Sequence, residues 1–270
     1  MNESKLFILL KLFALSGLLM LLTSSARAWQ VSISDCPGCG SRAKAAVVDA
    51  AGDIIATGSF FYGADVVKLS GATGQVIWRT EVMGHESRNY VQDIAIDSHG
   101  DVFVVFAWTR VVVKVSGADG TKIWEKPIGG TLNALLPVIN AVAVDRDDNV
   151  LTAGTMGGFF NVCKLDGRTG EEQWHYDARG GYANGVAVDG NGDVAAAGMM
   201  SNNFATVKLR GTDGQELWYD DINGPGSFTN AFEEARAVAV GTDGSIVVAG
   251  VTVDVTGEFN DCTKEFTVVK

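Results

Sequence analysis

Five times along the chain an alternating or apolar run is followed by a short polar turn and a second apolar run: "AAVVDAAGDIIATG" (45–58), "DIAIDSHGDVFVVF" (93–106), "AVAVDRDDNVLTAG" (141–154), "GVAVDGNGDVAAAG" (185–198) and "AVAVGTDGSIVVAG" (237–250). Alternation with period two, broken by Gly, Asp and Asn, reads as paired strands and hairpins. A third apolar run follows each pair. In the first four copies it ends in K-x-x-G-x-x-G-x-x-x-W, at 68–78, 114–124, 164–174 and 208–218. The fourth unit assigns most clearly, with "GVAVD" innermost, "DVAAAG" second, "FATVKL" third and "ELWYDDI" outermost. Trp78, Trp124, Trp174 and Trp218 lie 46, 50 and 44 residues apart. A period of that size with several strands per unit predicts an all-β β-propeller, one four-stranded blade per repeat.

The turn residues have physical reasons. Glycine takes positive φ freely and aspartate bonds nearby amides, so D-x-x-G-D suits a tight hairpin; Asp148 and Asn149 fill its last two positions in the third copy. The two glycines of the longer motif turn the chain from third to outer strand. The tryptophan then lies where blades meet, where an indole buries roughly 150–250 Å². The recurring lysine is expected to pack its stem and send its ammonium to solvent or an acidic neighbour.

The fifth copy stops at "FTVVK" (266–270) without its glycine turn, and "WQVSI" (29–33) superimposes on "WRTEV" (78–82). The expectation is therefore a ring of five blades, with Trp29 as a fifth docking residue and the N-terminal strand completing the last blade. An N-terminal outer strand would equally begin a larger propeller of which this chain is a fragment.

Composition adds the compartment. Lys5 and Lys11 precede the apolar run "LFALSGLLMLL" (12–22) and the small-residue end "ARA" (26–28), the pattern of a cleavable secretory signal over 1–28. The run is shorter than the roughly 20 residues of a spanning helix, which disfavours a membrane anchor. Residues 29–270 form the propeller domain, periplasmic or secreted. The full chain carries 21 basic and 32 acidic residues, and the mature part a net charge of about −13. Such a surface repels phosphate backbones and anionic lipid, which excludes nucleic acid and membranes as partners.

Candidate chemistry is sparse. "CPGC" (36–39) lacks the histidine of a haem site, and an oxidising compartment favours a structural disulfide. Topology puts Cys36 and Cys39 on the same face as Cys262, so Cys262 is expected to pair with one of them, leaving Cys163 a buried free thiol. Asp189, Asn191 and Asp193 alternate as in calcium loops, but lack the usual glutamate and read as a hairpin. His85, His99 and His175 have no ligand spacing, and no Ser-His-Asp set is arguable. The better candidate is a surface: Lys44, Gln92, Asn140, Asn184 and Arg236 each begin an innermost strand and should ring the channel mouth. Around them would lie loops such as "HESRNY" (85–90), "GGTLNALLP" (129–137), "RGGYAN" (179–184) and "NGPGSFTNAFEEAR" (223–236).

The four copies of K-x-x-G-x-x-G-x-x-x-W resemble the tryptophan-docking repeat of the pyrroloquinoline quinone propellers, A-x-D-x-x-x-G-x-x-x-W. Lysine replaces the first alanine, and only Asp166 keeps the acidic third position. The repeat occurs in quinone-dependent dehydrogenases and in non-enzymatic assembly and scaffold proteins. The enzymes imply eight blades, a quinone against a disulfide of adjacent cysteines, calcium and a catalytic aspartate. This chain has no adjacent cysteines. The reading is a non-catalytic binding or scaffolding module for a protein or glycan, with no cofactor. The alternative is part of a quinone-dependent dehydrogenase, with the quinone and calcium, or a hydrolase with its site at the channel mouth.

Overall fold

The computed structural model describes residues 28–33, 41–60, 63–84, 90–107, 109–128, 138–222, 233–255 and 262–269. Strands β1 (Ser41–Val48), β2 (Ile54–Phe60), β3 (Gly63–Leu69) and β4 (Val76–Met83) form blade I; β5 (Val91–Ile96), β6 (Val102–Phe106), β7 (Val111–Val115) and β8 (Lys122–Pro127) form blade II. Blade III is β9 (Val138–Val144), β10 (Val150–Met156), β11 (Phe159–Leu165) and the first part of β12 (Glu172–Val188). The rest of β12 opens blade IV, followed by β13 (Val194–Met200), β14 (Asn203–Leu209) and β15 (Glu216–Ile222). Blade V is β16 (Glu234–Val240), β17 (Ile246–Val255) and β18 (Cys262–Val269). Every pairing is antiparallel and meandering, as the hairpin pattern predicts; the fold is an all-β propeller of four-stranded blades.

The core lies between blades, because each sheet is apolar on both faces. Ile55, Val66, Trp78 and Val82 of blade I interlock with Ile94, Val104 and Val113 of blade II. Leu151, Phe160 and Trp174 of blade III meet Val194, Val207 and Leu209 of blade IV in the same register. At about 25 cal/mol per Å², burial at these seams is the main force holding blade to blade.

Two expectations are corrected. "RGGYAN" is no loop: β12 runs through it unbroken, which joins blades III and IV into one seven-stranded sheet. Residues 29–33 do not complete the last blade. The sheet β16–β17–β18 has three strands with β18 at its edge, and 28–33 carry no strand pairing. The inner strands pack in succession, β1 on β5, β5 on β9, β9 on β12 and β12 on β16, but β16 does not pack on β1 in that way. The N-terminal segment docks on blade I, where the Trp29 indole donates to Gly71 O at 2.9 Å.

Candidate functional site

The repeated motif resolves into a clamp between consecutive blades. Lys68 Nζ pairs with Asp49 of its own inner hairpin at 2.7 Å and donates to Gly117 O of the next blade at 3.0 Å. Trp78 Nε1 donates to the same carbonyl. Lys114, Asp97 and Trp124 repeat this on Gly167 O; Lys164, Asp145 and Trp174 repeat it on Gly211 O. The lysines thus reach acidic neighbours, as expected, and do not converge on the axis. The receiving glycine cannot be replaced, because a Cβ on Gly117, Gly167 or Gly211 would lie 1.8 Å from the hairpin carbonyl of Gly100, Asp148 or Gly192. The second glycine of each turn has positive φ and lies under the incoming indole: a Cβ on Gly214 (φ 71) would meet the Trp174 ring at 2.6 Å.

Each inner-hairpin aspartate has two tasks. Asp49 Oδ1 accepts from the amides of Ala51 and Asp53 while its other oxygen meets the lysine. The Lys68 hydrogen bond, against burial, holds Asp49 below the usual carboxylate range. Burial pushes Asp145 and Asp189 up, but their lysines and the turn amides outweigh it and both lie low. The calcium-like "DGNGD" is used in this way: Asp189 accepts from the Asn191 and Asp193 amides and pairs with Lys208, and Asp193 accepts from Gly211 N. Among the described residues no cluster of three or more His, Cys, Asp or Glu is placed to hold a metal.

The five residues expected at the channel mouth share one local cause. Lys44, Gln92, Asn140, Asn184 and Arg236 are each the extra residue of a β-bulge in the innermost strand, a device that re-aims a side chain. Gly58, Gly154, Gly198 and Gly250 lie beside four of these bulges, where a Cβ would strike a backbone carbonyl at 2.3, 1.9, 2.1 and 2.1 Å. Asn140 Nδ2 donates to Ala183 O and Asn184 Nδ2 to Ala235 O, both at 2.8 Å, so these two amides tie inner strands together. Arg236 pairs with Glu234, which also accepts from the Tyr182 hydroxyl. Burial and Glu234 push Tyr182 up to about 12. Lys44 is exposed and Gln92 half-buried. Between them Asp93, which the sequence reading passed over, accepts from Val142 N of the next blade at 3.0 Å. Burial pushes its carboxyl up against the pull of two amides and Lys44.

Other candidates fall into place without chemistry. Cys163 is a buried free thiol, as expected, and burial pushes its pKa well up. The pairing of Cys36 or Cys39 with Cys262 lies outside the described side chains. Ser98, His99 and Asp148 meet at the inner hairpins, but Ser98 Oγ donates to Asp148 and both approach the same ring nitrogen, at 3.4 and 3.1 Å. That is not a serine–imidazole–carboxylate relay. The adjacent cysteines that set the quinone of the dehydrogenases do not occur in this sequence, and the described hairpin aspartates are paired with lysines.

The fold and clamp define a class, the β-propellers built from tryptophan-docking, quinoprotein-like blades. Residues 63–257 match the family model described as outer membrane protein assembly factor BamB, and the chain belongs to that family. Solved structures agree on the fold at low identity. A protein from Lactobacillus plantarum aligns with TM-score 0.59 at 14% identity, over 84% of this chain and 70% of its own. A quinohemoprotein alcohol dehydrogenase from Pseudomonas putida aligns with TM-score 0.58 at 16% identity, over 77% of this chain and 38% of its own. The WD40 propeller domain of Doa1 aligns with TM-score 0.53 at 15% identity, over 76% and 59%. This chain therefore spans less than two thirds of the last two proteins. A comparison with curated proteins returned no match.

Proposed function

We propose that this protein is a non-catalytic binding propeller that works outside the cytoplasm and holds a protein segment at the bulged end of its inner strands. The observation that carries the reading is the bulge at the same place in five consecutive repeats, which sets Lys44, Gln92, Asn140, Asn184 and Arg236 at one end. Two of these side chains are committed to neighbouring strands, while Lys44 and Arg236, the latter paired with Glu234, stay exposed on an acidic chain, suited to a carboxylate-bearing segment. The family's description as an assembly factor supports a protein as the partner. Export rests on the signal pattern over 1–28; among the described residues no helix is long and apolar enough to cross a membrane.

Photo-crosslinking tests this directly. A crosslinker at Lys44 or Arg236 should give protein adducts from cell-envelope extract, and one at the exposed Ala51, at the hairpin end, should not. Equal adducts from Ala51 would overturn the site. Adducts sensitive to periodate but not to protease would make the ligand a glycan. Addition of pyrroloquinoline quinone, calcium and an artificial electron acceptor should leave the dye oxidised; its reduction would establish the dehydrogenase reading instead.

A further inference from the structure

The geometry points to a carboxylate-binding cradle between the inner strands of blades IV and V, formed by the backbone N–H groups of Val186 and Val238 beside Gly185. It deepens the function proposed above and rests on that reading only for whose carboxylate is held. The template is a contact within the chain. Asp93, the first residue after the Gln92 bulge, spreads its carboxylate over two inner strands: Oδ1 accepts from Ile94 N of its own strand at 2.9 Å and Oδ2 from Val142 N of the next blade at 3.0 Å.

Register carries the same donors to every blade. Ala46, Ile94, Val142, Val186 and Val238 each stand two residues after the bulge residue, and face Ala56, Val104, Thr152, Ala196 and Val248 of the second strand. An N–H that turns away from the ladder at Val142 therefore turns away at Val186 and Val238 as well. What differs is the residue just after the bulge. Where blade II has Asp93, the other blades have Ala45, Ala141, Gly185 and Ala237, none with an acceptor in its side chain. Asp93 claims Ile94 and Val142, so among the described residues the junction of blades IV and V is the one between consecutive blades where a side chain claims neither donor. A Cβ on Gly185 would lie 3.2 Å from Val238 N, which puts the place of the aspartate side chain beside the second donor, left open by glycine. The two strands are already fixed there, because Asn184 Nδ2 donates to Ala235 O at 2.8 Å and the Tyr182 hydroxyl to Glu234 at 2.7 Å. An incoming carboxylate thus meets preset donors for charge-assisted hydrogen bonds.

Sodium acetate titrated into the isotope-labelled protein, with sodium chloride at equal ionic strength as the control, reads the cradle through amide NMR. Acetate should shift the Val186 and Val238 amides saturably in the millimolar range and leave Ile94 and Val142 in place. Gly185→Asp should abolish the shifts by supplying the carboxylate from within. Because that side chain must also pass a Val238 methyl group at 3.2 Å, Asp93→Ala gives an independent arm: Ile94 and Val142 should gain an acetate response that the parent lacks. No saturable acetate shift at Val186 and Val238, an equal shift with chloride, or no gain at Ile94 and Val142 in Asp93→Ala would each overturn the cradle. Two short peptides separate the sources, one with an aspartate and an amidated C-terminus, the other with a free C-terminal carboxylate and no acidic side chain; whichever moves the same two amides names the carboxylate that is taken. Acetate shifts with neither peptide active would overturn the partner-segment reading and leave the cradle standing, and crosslinked adducts at Lys44 without acetate shifts would do the reverse.

Discussion

The junction between blades III and IV and the one between blades IV and V are built from the same motif, yet among the described residues only the first has its glycine turn. Trp174 and Lys164 both donate there to Gly211 O, Asp145 pairs with the Lys164 ammonium, and Leu151, Phe160 and Leu209 close the seam beneath. At the second, Phe204 and Val248 fill the seam, but Trp218 and Lys208 reach toward a carbonyl that no described residue supplies. The contrast shows that the glycine carbonyl, and not the tryptophan alone, is what locks one blade on the next. A tryptophan without its turn is a half-exposed side chain.

The largest effect that would break this contrast is truncation of the indole. Trp174→Ala should cost about 3–5 kcal/mol in urea unfolding, as for other buried aromatics, while Trp218→Ala should cost under about 1 kcal/mol. Next comes the cation. Lys164→Met strands the nearly buried Asp145 and should cost about 3 kcal/mol; Lys208→Met, with no carbonyl bond to lose among the described residues, should cost less.

Acid sharpens the comparison further. Asp49, Asp145 and Asp189 lie below their ordinary pKa in the folded protein, so the stability they contribute is present above the unfolded value of about 3.9 and is lost as pH falls through the folded values. Thermal midpoints should hold steady down to about pH 4 and drop below it, and Asp145→Asn should flatten part of that drop. The smallest effect runs the other way. Asp93 is raised by burial, so its contribution is complete at low pH and is lost as pH rises through the folded value. Asp93→Asn should leave the midpoint unchanged near pH 3 and raise it slightly at pH 7.

Much of this was legible in the sequence, for particular reasons. Period-two runs gave the second, third and outer strands of blade IV within a residue or two, and the D-x-x-G-D turns formed as read, with Gly52, Gly100 and Gly192 at positive φ and even Asp148 at φ 61. The lysine's role was only half visible. Its aspartate partner lies one hairpin upstream and its carbonyl one blade downstream, so neither contact has a local signature. The telling signal was the pairing of K with V-D, or I-D in the second, in each of the first four repeats, and Gly241 standing for that aspartate in the fifth. "RGGYAN" read as a loop from its glycines and polar residues, whereas cross-strand bonds carry β12 straight through. The asparagines at 140 and 184 read as ligand groups because a bulge cannot be seen in an alternating pattern; the glycine aligned beside it is the trace it leaves. For the N-terminal strand, the docking of Trp29 on blade I follows the motif, while the pairing with β18 required two strands distant in sequence to meet, and they do not.

Exchange of the indole N–H protons with deuterium, followed residue by residue by NMR, tests the central claim most directly. The account predicts slow exchange at Trp78, Trp124 and Trp174, whose N–H groups are held by glycine carbonyls, slow exchange at Trp29, and fast exchange at Trp218. Protection of Trp218 equal to that of Trp174, or exchange at Trp78 and Trp174 as fast as at Trp218, would contradict it.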